Sequence, residues 1–406
     1  KLSLRTHTDK TTHLRYLLPL TRSTLMESGI ALADQKGETI FFDPFLKSLK
    51  NKNMLVTGTT GGGKSVFVNK IVHSLIDQHP TVILDKGGSY KRLSLYHEGH
   101  VMDGGFNPIQ FREPLYLREF ILSLVDQDTF GKLEQGRLLS AIKEALKKDE
   151  IQTFAQLISA LEADFPGIGF YFEECREFFN DQSIPEVKIL YVDVENYPKG
   201  IVAPLIIFLL EYFKRIRVEE KILVFDECWS FLKLHSVYID ECFRTFRKSG
   251  ALPIAISQGL RDFSQIGADL AGSITNNSYF KVFFPQELEE SSEITKHDQE
   301  KISSLLFSKG QFSDCYLKSS DNKYRKILRI YLTDLELELF NTEVGDSGPF
   351  MKFFNQNRAY FSSNKEAIDA YVRMKHGSFK QNDHTGDVFT GISGNRTGIE
   401  SLSTRQ

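Results

Sequence analysis

Gly58, Gly63, Lys64 and Ser65 in the stretch "MLVTGTTGGGKSVFVNKIV" (54–72) meet the spacing G-x-x-x-x-G-K-[ST]. Glycines so placed let successive backbone N–H groups turn inward onto phosphate oxygens. The helix that follows aims its N-terminus, with its partial positive charge, at the same anion. On this reading Gly58, Thr59, Thr60, Gly61, Gly62, Gly63, Lys64, Ser65 and Val66 wrap the phosphates of a nucleotide. Lys64 reaches the β- and γ-phosphates, and Ser65 holds Mg²⁺. Chance alone produces such a match in roughly one or two chains per hundred of this length. Here it lies between an apolar strand and an amphipathic helix, the context the chemistry needs.

A phosphate cradle by itself does not choose between kinases, GTPases, transporters and motors. "KILVFDECW" narrows the choice by ending an apolar run in Asp226 and Glu227. Asp226 would bind Mg²⁺ through water, and Glu227 would polarise the attacking water as general base. Taken alone, the pair would also suit the first turn of a helix. "DKGG" (85–88) imitates the D-x-x-G of GTPases, but no N-K-x-D follows it, and there is no L-S-G-G-Q of ABC transporters. The reading is therefore an ATPase with a catalytic glutamate.

Three further groups are candidates. Gln258 follows the apolar run "LPIAIS", where it would sense the γ-phosphate or orient water, or else begin a turn. "ECFRTFRKSG" carries Arg244, Arg247 and Lys248. An arginine presented across a subunit boundary can stabilise charge on the transferring phosphate; a solvated basic helix face is the alternative. Asp85 and Asp193–Glu195 each end a strand-like run, at the edge where open α/β sheets bind ligands. The nucleotide or a plain strand-to-helix turn accounts for either.

These residues need a frame. "NMLVTG", "TVILD", "KILYVDV", "KILVFDE" and "LPIAIS" read as buried strands, and helical patterns such as "KSVFVNKIVHSLIDQH" run between several of them. Alternation of this kind implies a parallel sheet with helices on both faces, the α/β P-loop (RecA-like) class. "GIALADQKGETIFFDPF" adds two short strands around a turn, and residues 312–332 read as a β-hairpin. Between them "LREFILSLVDQ", "LEQGRLLSAIKEALKK", "TFAQLISALEADF" and "FYFEECREFFND" read as successive helices, an all-α insertion over 113–186. The expected organisation is a lead-in (1–24), a first ATPase part (25–112), the insertion, a second ATPase part (187–345), a helical segment (346–375) and a flexible tail (376–406).

Composition excludes some classes. With 41% hydrophobic and 25% charged residues, the 406-residue chain is an ordinary globular protein. A net charge of −3 gives no whole-chain footprint for nucleic acid. "IVAPLIIFLLEYF" is too short to span a bilayer and reads as a core helix. Cys175, Cys228, Cys242 and Cys315 fit neither a zinc site nor a disulfide framework, which suggests idle thiols in a reducing compartment.

The ordered set "GTTGGGKS", "VILDKGGSYKRL", "GGFNPIQ", "ILVFDECWSFL", "FRTFRKSGALPIAISQGLRDF" and "ITNNSYFKVFF" resembles the TraC-type cytoplasmic ATPases of conjugation and type IV secretion, within the HerA–FtsK superfamily of motors. The resemblance spans about residues 25–340 and includes an all-α insertion. It implies that Lys64 and Ser65 bind phosphate and Mg²⁺, that Asp226 and Glu227 are the metal and catalytic acids, and that Gln258 is the sensor. Arg247 stands in the place of the family's arginine finger, and Asn276 and Asn277 match a later motif of no evident chemistry. It further implies a homo-oligomer, a hexamer, working with inner-membrane components of the secretion machine. The place of work would be the cytoplasmic face of a bacterial inner membrane. The family's N-terminal docking domain has no counterpart in this sequence, which suggests a C-terminal piece of a longer protein. A DNA-translocating coupling motor, or a nucleotide-gated scaffold, are the competing functions; charge does not favour DNA.

Overall fold

The computed structural model describes residues 25–49, 51–125, 130–227, 241, 245–246, 248–259, 277–288, 294–341 and 348–377. Arg244, Arg247, Asn276, Cys228 and Cys242 lie outside these residues, as do the lead-in and most of the tail.

A single 12-stranded sheet organises the described chain. Its strands are β1 (Ile30–Ala33), β2 (Thr39–Phe42), β3 (Met54–Thr57), β4 (Thr81–Asp85), β5 (His100–Met102), β6 (Ile189–Asp193), β7 (Ile222–Asp226), β8 (Leu252–Ser257), β9 (Phe280–Phe283), β10 (Phe307–Ser308), β11 (Phe312–Ser319) and β12 (Arg325–Tyr331). The order is β2-β1-β12-β11-β9-β3-β8-β7-β4-β6-β5, with β10 paired to β11. From β9 to β5 every pairing is parallel, whereas β9-β11, β11-β12, β12-β1 and β1-β2 are antiparallel. The expected parallel sheet is therefore there, but the early strand pair and the late hairpin extend its edge. Short turns such as Asp34–Glu38 permit antiparallel neighbours, where parallel ones need long crossovers.

The central strands read as continuous apolar runs because both faces are covered. Side chains alternate between two cores. Leu55, Leu84, Val192 and Phe225 face one core, whose helices include α3 (Pro114–Leu122), α4 (Lys132–Ala145), α5 (Phe154–Leu161) and α6 (Lys199–Arg215). Val56, Ile83, Tyr191, Val224 and Ile256 face the other, built on α1 (Lys64–Leu75), α2 (Lys91–Tyr96), α9 (Pro349–Asn357) and α10 (Asn364–His376). Two further helices, α7 (Lys296–Ser303) and α8 (Asp334–Leu339), flank the antiparallel half. Among the described residues no helix is long and apolar enough to cross a membrane; α6 is a core helix.

One expected helix takes a different form. "FYFEECREFFND" falls within and just beyond a run of 3₁₀ turns, Ile168–Phe178. Gly167 opens it in a left-handed conformation at φ 87°. Its far end forms an isolated parallel bridge with the segment after β5, where Phe106 N donates to Phe178 O (2.9 Å) and Asn180 N to Phe106 O (3.0 Å). An α-helix would withdraw those backbone groups from the bridge. Cys175 and Cys315 are buried free thiols.

Candidate active site

Parallel register sets the site. In β3, β8 and β7, Thr57 lies beside Ser257 and Asp226 beside Ile256, so the loops that follow all emerge on one edge of the sheet. This is the carboxyl edge, where ligands bind in open α/β sheets.

The loop after β3 turns tightly into α1. Gly61 and Gly63 adopt φ of 77° and 102°, conformations L side chains rarely take. Gly63 also has no room for a side chain: a Cβ there would stand 2.5 Å from Ser313 Oγ. That hydroxyl donates to Gly62 O (2.9 Å), tying β11 to the loop. Lys64, buried, donates from Nζ to Gly58 O (2.8 Å) and Thr59 O (3.1 Å). Its ammonium is thus held at the mouth of the loop.

Thr60, Gly61, Gly63, Lys64, Ser65 and Val66 line a cleft of about 580 Å³ together with Asp226 and Glu227. Gly58, Thr59 and Gly62 do not line it. Thr59 binds Pro285 O through both its N–H (3.4 Å) and its hydroxyl (3.0 Å), and a Cβ on Gly58 would meet Phe284. Thr59 thereby anchors the loop to the segment after β9, and Gly58 packs against Phe284 there.

Asp226 ends β7 and is buried. Its Oδ2 accepts from Ser65 Oγ (2.9 Å) and from Tyr90 OH (3.1 Å). Burial pushes the Asp226 carboxyl up to about 6; the Glu227 charge adds to this, while the Ser65 and Tyr90 hydroxyls and Lys64 oppose it. Ser65 and Asp226 are hard oxygen donors in contact, the chemistry Mg²⁺ accepts when substrate phosphates and water complete its shell. The residues present therefore fit that cation.

Glu227 is half-buried and adopts φ 54°, one of a few non-glycine residues on the positive side. For a residue without a local side-chain turn this costs on the order of 1–3 kcal/mol and is typical of functional positions. The backbone is held there by Glu227 N donating to Ile256 O (3.3 Å). The side chain meets Gln258, at the tip of β8, whose Nε2 donates to Glu227 Oε1 (3.1 Å) and Oε2 (3.2 Å). Two strand ends thus bring the candidate base and the candidate sensor into contact.

Asp85 does not face the cleft. It is fully buried at the end of β4, its Oδ2 accepting from Tyr191 OH (3.1 Å) and Tyr90 N (3.3 Å). Its Oδ1 has no hydrogen-bond partner. Burial, then the charges of Asp226 and Asp193, raise this carboxyl well above the usual range and favour its neutral form. Asp193 accepts from Glu195 N (3.0 Å) and opens a 3₁₀ turn, so the plain strand-to-helix reading holds there.

Local patterning did not reveal two parts of the site. Tyr90 sits in the quoted "DKGGSYKRL", yet nothing in its spacing announces a bond to Asp226. The turn Phe307–Phe312 forms the opposite wall of the cleft, and no motif marks it.

Residues 29–166 match the family described as the TraG P-loop domain. The chain is 24% identical over 421 residues to Protein TraC of Escherichia coli K12, covering 89% of this chain and 47% of TraC. It is 23% identical over 385 residues to the type IV secretion system protein virB4 of Bartonella quintana, covering 80% of this chain and 47% of virB4. It thus spans about half the length of these curated relatives. The solved structure of VirB4 of Thermoanaerobacter pseudethanolicus superposes with a TM-score of 0.61 at 17% identity, over 77% of this chain and 98% of that one. That match concerns the fold, and it agrees with the sheet and loop described above. Part of the chain thus matches the TraG P-loop domain, and the chain is similar in sequence to the type IV secretion proteins TraC and virB4 and in fold to VirB4.

Proposed function

We propose that the chain hydrolyses ATP with Mg²⁺ and works as an oligomeric motor, a hexamer, that energises secretion or conjugative transfer. The observation that carries this reading is the contact between Glu227 and Gln258 at two adjacent strand tips beside the phosphate loop. A binding scaffold would have no need of an oriented carboxylate there.

In this mechanism the loop N–H groups and Lys64 bind the β- and γ-phosphates, and Ser65 and Asp226 hold Mg²⁺. When bound, the cation neutralises phosphate charge. Glu227 accepts a proton from a water as its oxygen attacks the γ-phosphorus, and the bond from that phosphorus to the β–γ bridging oxygen breaks to leave ADP. Gln258 fixes the carboxylate and senses the γ-phosphate. Arg247 of a neighbouring subunit stabilises the charge on the transferring group.

The partners in this reading are further copies of the chain and inner-membrane components of a type IV secretion system. The site of action is the cytoplasmic face of that membrane. The relatives' family supports this assignment, and the net charge of −3 gives no support to DNA as the cargo held by this chain.

Steady-state ATPase measured against protein concentration, with mass determined in parallel, tests it. Activity per subunit should rise as the protein assembles. Arg247→Ala should lose turnover with binding intact and regain part of it when mixed with Glu227→Gln subunits. A low rate indifferent to assembly would favour the scaffold.

A further inference from the structure

The 3₁₀ run Ile168–Phe178 is long for its kind, since runs beyond three or four residues are uncommon. With three residues per turn, its side chains stack in straight rows. One row faces inward. Phe172 and Cys175 are buried there, and Phe178 packs on the same core. Gly169 begins that row, where a Cβ would stand 2.7 Å from Glu162 Oε1. The other two rows face solvent. Phe170, Glu173 and Arg176 form one, and Tyr171, Glu174 and Glu177 form the other. Glu173 and Arg176 pair at 3.8 Å, as neighbours in a row should.

Phe170 is 83% exposed, the most exposed large apolar side chain among the described residues, and Tyr171 beside it is exposed too. Two aromatic rings beside three glutamates make an apolar and acidic ridge with no cover in the chain described. Its surroundings share the charge: residues 150–186 contain eight acidic residues and one basic one, Arg176. A field of one sign selects a partner of the other.

The chain itself contains such a partner. Residues 1–24 hold five basic residues and one acidic one, Asp9, with the apolar run "YLLPL" set between Arg15 and Arg22. Basic and apolar groups in one segment match acids and aromatics on one ridge, and arginine also lies well on an aromatic face. Position says which copy supplies the segment. The described residues start at Leu25, and Met26 bridges Phe41 of β2, at one end of the strand order. The ridge runs into Phe179, which bridges Phe106 just after β5, at the other end. Strands spaced about 4.8 Å apart put these ends roughly 50 Å from each other. To reach its own ridge, a lead-in would need about fifteen of its residues stretched straight along the sheet. A neighbour set end to end presents its lead-in there directly.

We propose that the ridge Phe170–Glu177 is the docking surface for the basic lead-in, residues 1–24, of a second copy of the chain. Such a contact joins two different surfaces and is therefore head-to-tail, the kind that closes into rings. The inference rests on the oligomer of the reading above and adds which surfaces meet.

Sedimentation velocity over a concentration series, on the full chain, measures the association. One variant reverses the ridge (Glu173→Lys, Glu174→Lys, Glu177→Lys), and another reverses the lead-in (Arg5→Glu, Lys10→Glu, Arg15→Glu). The three ridge glutamates are exposed, and thermal melts confirm that each variant folds. Each alone should associate at least about 10-fold more weakly than the parent, because like charges then face each other. Phe170→Ala changes no charge and should weaken association by about 10-fold as well. An equimolar mixture of the two reversed proteins should assemble as the parent does, since each offers the surface the other lacks. Parent-like association of the ridge variant or of Phe170→Ala would overturn the proposal. So would a mixture that fails to recover, because lead-in and ridge would then not meet between copies. If the parent stays monomeric at every concentration, the oligomer reading fails and this inference falls with it.

Discussion

Gln258 Nε2 lies 3.1 Å and 3.2 Å from the two carboxylate oxygens of Glu227. The amide spans the carboxylate, so it fixes both the position and the plane of the candidate base. Gln258→Ala should leave ATP affinity unchanged and lower turnover roughly 10- to 100-fold, the scale on which orienting partners act. Stopped-flow binding alongside steady-state ATPase checks it. A loss confined to affinity would instead make Gln258 a ground-state phosphate contact.

The same carboxylate sits on backbone that prefers glycine, at φ 54°. Glu227→Gly should therefore stabilise the fold, by about 1 kcal/mol or more, while removing turnover. Thermal melts and ATPase rates on one preparation would show the opposed effects. A Glu227→Gly protein that melts lower would mean that the side chain holds more structure than its contact with Gln258 indicates.

Much of this site was readable before any coordinates. The glycine spacing, the apolar run into Asp226–Glu227 and the strand ending in Gln258 are local patterns, and chain-local physics encodes them. What was not readable depends on contacts across long stretches of chain. Ser313 reaches Gly62 across 251 residues, and Tyr90 reaches Asp226 across 136. No periodicity records such pairings. The antiparallel edge was legible strand by strand, but its attachment through β9 to the parallel half was not. "YFKVFF" was quoted as part of a motif, and Phe280–Phe283 is the strand that joins the two halves. The 3₁₀ run at 168–178 shows the opposite case, where a helical composition ends in a backbone bridge to the segment after β5.

Gly63 tests the long contact. Gly63→Ala combines a φ of 102° with a Cβ placed 2.5 Å from Ser313 Oγ. It should cost about 1–3 kcal/mol of stability. Adding Ser313→Gly removes the Ser313 clash and leaves the backbone part and the 3.2 Å approach to Phe284 Cε1, so the double variant should recover some of the loss. A double-mutant cycle by chemical denaturation measures the coupling. Strict additivity would mean that Ser313 does not press on this position.

Asp298 braces the wall that carries the β10–β11 turn. It is fully buried and accepts from Tyr316 OH (2.8 Å), Lys318 Nζ (2.8 Å) and Arg325 (2.5 Å). Burial would raise its carboxyl, but the bonds from Lys318, Thr295 and Arg325 outweigh it and hold the group well below the usual range. A depressed folded-state pKa gives stability that is present above the unfolded value, near pH 4, and is lost as the pH falls through the folded one. The melting temperature should therefore drop on acidification below about pH 4, and Asp298→Asn should flatten that slope. At neutral pH the variant removes the charge that Lys318 and Arg325 share and should lower the melting temperature there as well. Melting curves from pH 7 to 2 decide it; an unchanged slope in Asp298→Asn would place the acid sensitivity elsewhere.

The central claim is that Glu227 takes the proton of the attacking water. Glu227→Gln keeps the shape of the side chain and removes its basicity, so ATP binding and single-turnover hydrolysis measured on the same protein test the claim most directly. The expected result is affinity within a few-fold of the parent and hydrolysis slowed by about 10²–10⁴-fold. Hydrolysis at the parent rate would contradict it.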